Sequence, residues 1–136
     1  HNQVEPFVRR LREAGIRVSL FIEPSIVQVD TAVAMGAPVV ELHTGKYVEL
    51  AFAGDEAGTA VELKRLREAA AHGHARGLEI HVGHGLTYDT VRPVAAIPEV
   101  RELNIGHFIM GEALFVGLDA AVRGMRHEID IARGHA

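Results

Sequence analysis

Four short apolar runs, separated by stretches with helical spacing, constrain this chain more than any other feature. The runs are Arg17-Val-Ser-Leu-Phe-Ile22, Pro38-Val-Val-Glu-Leu-His43, Leu78-Glu-Ile-His-Val82 and Glu102-Leu-Asn-Ile105. Ahead of the first, Val4, Phe7, Val8 and Leu11 recur at helical spacing, and Gly15 sits where a helix C-cap belongs, which predicts a helix over 3–14. Pro24 and Ser25 mark the next helix start, and Ile26, Val29, Ala32 and Val33 give that helix an apolar face ending near Gly36. Residues 44–54 read as a loop. Asp55 then N-caps a long helix through Ala75 that Gly77 closes. A shorter helix is expected over 89–97, and Asp119 opens a terminal one carrying Ala121, Val122, Met125 and Ile129 on one face.

This alternation makes the chain an α/β protein of four βα units, with spacings that suit right-handed parallel crossovers. Parallel strands must be covered on both faces or closed into a barrel. Four of them form half of an eight-stranded barrel or a small open sheet, and periodicity does not choose between the two. The first helix precedes its strand, and the chain starts at His1 with no initiator methionine. Both features lead to the expectation that an N-terminal portion is absent.

Composition removes several function classes. The formal net charge is -4, which argues against a general nucleic-acid binder, because such proteins need a basic face. Small phosphorylated ligands stay open, since backbone amides and a few local groups suffice for one or two phosphates. The chain has no cysteine, so it has no disulfide, thiolate nucleophile or Cys-based zinc site, in keeping with an expected cytoplasmic location. No apolar run approaches the roughly 20 residues of a membrane span.

The chemically versatile residues gather just past the strand C-termini, the edge where parallel α/β folds bind ligands. Glu23 and Pro24 follow the first strand. The second carries Glu41 and ends in His43-Thr44-Gly45-Lys46-Tyr47. The third ends in Gly83-His84-Gly85-Leu86-Thr87, and the fourth in Asn104-Ile105-Gly106-His107. Gly83-His84-Gly85 suits a loop whose backbone approaches an anion closely. The last two strands of an eight-stranded barrel often supply such phosphate loops. A glycine-flanked histidine carries little weight alone.

Glu41 places a carboxylate inside an otherwise apolar strand, which costs several kcal/mol unless it is paired or neutralised. It is either a strand residue that faces a polar barrel interior or forms a structural ion pair, or a group that handles protons or stabilises a cationic intermediate. His43, His81, His84 and His107 raise the question of a metal, but no HxxxH helix or carboxylate pattern supports one, and no metal is expected. His72, His74, His127 and His135 read as solvated. Lys46 is either a solvated loop lysine or a Schiff-base or phosphate lysine, the solvated reading being favoured. Residues 62–68 read as an exposed helix face with i,i+4 ion pairs.

On these residues the sequence resembles the pyridoxine 5′-phosphate synthase family. The resemblance runs through Gly15-Ile-Arg-Val-Ser-Leu-Phe-Ile22, Glu41-Leu-His-Thr-Gly45 with Tyr47, and Gly83-His-Gly-Leu-Thr-Tyr88. It continues in Ala95-Ala-Ile-Pro-Glu99 and Glu102-Leu-Asn-Ile-Gly-His107. It implies a TIM-type (β/α)8 barrel, of which residues 1–136 supply the last four βα units. The implied reaction condenses 3-amino-2-oxopropyl phosphate with 1-deoxy-D-xylulose 5-phosphate to pyridoxine 5′-phosphate, inorganic phosphate and water, without organic cofactor or metal. It also implies that His84 donates protons and touches ligand, that Glu41 stabilises charge, and that Gly85, Gly106 and His107 belong to substrate- and phosphate-binding segments. A homo-octamer without nucleic-acid or membrane partners completes the expectation. The family's other catalytic histidine and glutamate lie on the first four strands, which nothing here matches. A non-catalytic half-barrel that binds phosphorylated ligands or a partner subunit is the competing reading. A different phosphate-handling barrel, an aldolase or isomerase using Lys46, is a third.

Overall fold

In the computed structural model, residues 3–135 are described. Four parallel strands form one sheet: β1 (Ser19–Ile22), β2 (Val39–His43), β3 (Glu79–Gly83) and β4 (Val100–Asn104). Their spatial order is their chain order, so each crossover advances by one strand in the same direction. Helix α1 (Glu5–Glu13) precedes β1, and α2 (Ile26–Ala34) joins β1 to β2. Two helices, α3 (Gly45–Phe52) and α4 (Glu56–Ala75), lie between β2 and β3. Helix α5 (Tyr88–Ala95) leads to β4, and α6 (His107–Val116) and α7 (Leu118–Arg133) close the chain.

Side chains on a strand alternate between faces, and here the alternation separates core from chemistry. Val40, Leu42, Ile80 and Val82 are fully buried beneath Val29, Leu66, Ala69, Val91 and Val94 of the surrounding helices. Leu20, Ile22 and Leu103 border the same cluster. The other face carries Phe21, Glu41, His43, His81, Gly83, Glu102 and Asn104. A smaller cluster of Val8, Val18 and Ala37 fastens α1 below β1.

The β3–β4 ladder contains one irregularity. Ile80 pairs with Val100 but His81 pairs with Glu102, so Arg101 is an extra residue on β4. A bulge of this kind moves every following side chain to the opposite face. It is why Glu102 and Asn104 share a face with Glu41 and His81 while Leu103 points into the core.

Most expected elements are present, with ends moved by one to three residues. Asp55 does cap α4: its Oδ1 accepts from Gly58 N at 2.9 Å. The stretch 44–54, expected to be a loop, contains α3. Its opening Thr-Gly hides it in the sequence, but Tyr47 and Val48 are buried, and the Tyr47 hydroxyl donates to the Thr90 carbonyl at 3.1 Å. Residues 62–68 are not simply an exposed face either. Lys64 and Glu68 do form an exposed i,i+4 pair, but Glu62 is buried and joins α4 to α3 through Lys46 at 3.2 Å and to Arg65 at 2.7 Å. His72 is also not simply solvated: it contacts Asp30 at 2.8 Å, tying α4 to α2. Asp30 is held below its ordinary pKa by the hydrogen bond from His72, with Arg76 adding to the effect. His74, His127 and His135 are exposed. On the expected apolar faces, Val4, Phe7 and Leu11 at α1 and Val122 of α7 are exposed, whereas Val8, Ala121 and Met125 are buried and Ile129 packs against the core.

Candidate active site

A cavity of about 690 Å³ opens at the C-terminal edge of the sheet. Phe21, Glu41 and Asn104 supply its floor, and the segments after β3 and β4 supply its walls. The five residues singled out in the sequence, Glu41, His84, Gly85, Gly106 and His107, all line it. The geometry brings them together from three different strand ends.

Glu41 is held from two sides. Its Oε2 accepts from Asn104 Nδ2 at 2.8 Å. Its Oε1 occupies space that exists because residue 83 has no side chain: a Cβ there would overlap Glu41 Oε1 and lie 2.9 Å from the Asn104 carbonyl oxygen. Gly83 therefore makes room for a carboxylate, a more specific role than general loop flexibility.

His84 has a φ of 82°, the one positive value on a non-glycine residue among those described. This conformation costs of order 1–3 kcal/mol and needs support from its surroundings. Thr44 provides it. Its hydroxyl lies 2.7 Å from the Gly83 carbonyl and 2.6 Å from the His84 carbonyl, and its own N–H donates to the Gly83 carbonyl at 2.9 Å. Gly85 follows with a φ of 86°. The His84 ring stacks on His43 with centroids 4.6 Å apart and an interplanar angle of 25°. Phe21 flanks both rings, at 5.0 Å from His43 and 6.3 Å from His84. His43 Nδ1 accepts from Gly45 N–H at 3.3 Å, and Glu23 Oε1 lies 3.8 Å from the same nitrogen.

Gly106 is the N-cap of α6 and His107 its first residue. Free backbone N–H groups at such a terminus favour an anion. Below it, the backbone N–H of Thr87 donates to Thr90 Oγ1 at 2.9 Å, fixing the start of α5. Tyr88 packs edge-on against Phe108 at 4.7 Å and donates its hydroxyl to the Ala121 carbonyl, which anchors α6 to α5 and α7.

Sequence reasoning missed Phe21, Phe52 and Phe108 as lining residues, and it named Asn104 only as a strand end. Phe21 lies between Leu20 and Ile22 in a run with no polar marker, and Phe52 falls in the stretch read as loop. Lys46 is not among the lining residues; it sits on α3 against Glu62. Among the described residues, no group of three or more His, Asp or Glu is arranged to hold a metal ion. In the same described set, no helix is long and apolar enough to cross a membrane.

The family described as pyridoxal phosphate biosynthesis protein PdxJ matches residues 1–131. The chain belongs to this family. Among its relatives, the pyridoxine 5′-phosphate synthase of Rhodospirillum rubrum is 59% identical over 129 residues, covering 93% of this chain and 50% of the relative. That of Jannaschia sp. (strain CCS1) is 53% identical over 132 residues, covering 97% and 53%. That of Caulobacter vibrioides is 56% identical over 124 residues, covering 91% and 49%. The chain thus spans about half the length of the curated relatives it matches. In this PdxJ-family chain the ends of β3 and β4 line one cavity together with Glu41, and the helix-covered face buries the larger of the two apolar clusters.

Proposed function

We propose that this chain forms the second half of a (β/α)8 barrel, as one piece of a single domain, and that the whole barrel is a pyridoxine 5′-phosphate synthase. It condenses 3-amino-2-oxopropyl phosphate with 1-deoxy-D-xylulose 5-phosphate, releasing inorganic phosphate and water. The observation that carries the proposal is the meeting of Glu41, His84 and the Gly106–His107 helix start around one cavity in a chain of this family. The edges of β1 and β4 are where the strands of a first half would pair.

The chemistry asks for these groups. An amine adds to a ketone, water and phosphate leave, and a ring closes, each step moving protons. His84, exposed on the cavity wall, is suited to donate a proton to a departing oxygen. Glu41, which accepts one hydrogen bond from Asn104, is suited to stabilise a cationic amine adduct across the floor. Gly85, Gly106 and His107 offer glycine-lined backbone and a helix N-terminus for phosphate. The reading extends to a cytoplasmic homo-octamer acting on small phosphorylated substrates and inorganic phosphate, without metal or organic cofactor.

The test is formation of pyridoxine 5′-phosphate from the two substrates by the native full-length protein, with Glu41→Gln alongside. Product formation that drops about 10-fold or more in Glu41→Gln supports the reading. No product from the unaltered protein contradicts the synthase, and a wild-type rate in Glu41→Gln returns Glu41 to a structural role.

A further inference from the structure

His81 takes no part in the chemistry above, yet it is 94% removed from solvent, on the same face and in register with Glu41. Its Nε2 lies 2.7 Å from Glu79 Oε1, and its Nδ1 lies 3.2 Å from Glu102 Oε1. A carboxylate only accepts hydrogen bonds, and a neutral imidazole has one N–H to give. The Glu79 contact is a hydrogen bond and the Glu102 contact an ion-pair distance, so each ring nitrogen has a carboxylate beside it, the surroundings that a doubly protonated ring would match. The charged groups at the ring are Glu79 on its own strand and Glu102 on β4; Glu41 is its register partner on β2, and Arg17, ahead of β1, is bound to Glu79.

We propose that His81 is an imidazolium clamp that holds the β4 bulge in place and thereby positions Asn104 on Glu41. The proposal rests on the synthase reading for its catalytic consequence, but not for the clamp itself. The geometry is continuous from end to end. Arg17 meets Glu79 at 2.7 Å, Glu79 meets His81, and His81 meets Glu102, the first residue past the extra Arg101. Two residues further on, Asn104 donates to Glu41. Without the bulge, Asn104 would face the core and Glu41 would lose that partner. Glu79 is held far below the ordinary carboxylate range, to about 2, by its hydrogen bonds from Arg17 first and His81 second, as expected for a carboxylate between two cations. His81 is therefore a positioning residue that acts through Glu102 and Asn104.

Nitrogen-resolved NMR on the native full-length protein at neutral pH tests the clamp without relying on turnover. The expected result is two protonated ring nitrogens on His81. In Glu102→Ala, which removes a half-exposed side chain and so spares the fold, the Asn104 side-chain amide should move toward the signal of an unbonded amide. In the synthase assay the same variant should lose about 10-fold in kcat with KM within about 2-fold. The double variant Glu102→Ala/Asn104→Ala should be no slower than Asn104→Ala alone, because the two act in series. A single ring proton on His81, an unmoved Asn104 amide, or additive losses in the double variant would each overturn the proposal. A protein inactive in the assay but with two His81 ring protons and a responsive Asn104 would sink the synthase reading and leave the clamp standing.

Discussion

The two faces of the sheet are made by the same strands, and they answer to different demands. On one face Val40, Leu42, Ile80 and Val82 are sealed under helices with no polar group among them. On the other, one position away along each strand, Glu41, His43, His81 and Asn104 form hydrogen bonds and ion pairs, Glu41 and Asn104 at the floor of the cavity, and Phe21 keeps about half its surface open. The helix-covered face contributes stability by removing apolar area from water. The open face holds buried and strained polar groups that would be costly without specific partners, and every buried side-chain N or O among the described residues has such a partner. The difference indicates that substitutions should sort by face: stability on one side, chemistry on the other.

The largest break in that comparison should come from Leu42→Ala, which empties part of a fully buried site. Chemical denaturation should register a loss of about 2–5 kcal/mol, with activity per folded molecule kept. A loss under about 1 kcal/mol would mean that this face is not the stabilising one. Gly83→Ala tests the seam between the faces. It keeps the strand but drives a methyl into Glu41, so a cost of about 1–3 kcal/mol in stability should accompany a fall in turnover of about 100-fold. A wild-type rate would show that the position of Glu41 is unimportant. Glu79→Gln should give the smallest effect, a stability loss recognised by its pH dependence. The folded pKa of Glu79 is about 2 against an ordinary value of 4.5, so its stabilisation is complete above about 4.5 and is lost as pH falls toward 2. The stability difference between wild type and Glu79→Gln should therefore be largest above pH 4.5 and shrink toward pH 2. A difference that grows on acidification would contradict the assignment.

Much of this division was legible in the sequence. Four strands and their parallel direction follow from the alternation of apolar runs with helical spacing, and the gathering of polar residues follows from the segments just past the strand ends. Assigning residues to faces was harder, because β2 and β3 are covered on one side and lined with partly buried polar groups on the other, so their hydrophobic pattern does not alternate cleanly. The bulge at Arg101 has no marker such as glycine, yet it decides which way Glu102 and Asn104 point. Helix α3 begins Thr-Gly-Lys, which reads as loop, and only the burial of Tyr47 and Val48 makes it a helix. His81 and Glu62 look like surface or ligand residues in one dimension. Their partners lie on neighbouring strands and helices, information that spacing along the chain does not hold.

The measurement that tests the account most directly pairs turnover with thermal unfolding for His84→Ala in the native full-length protein. His84 stands on the open face, exposed, with its backbone held by Thr44 rather than by its own ring. The account predicts a turnover loss of about 100- to 10,000-fold with a melting temperature near that of wild type. Wild-type turnover, or a loss of activity that merely follows a loss of folded protein, would contradict it.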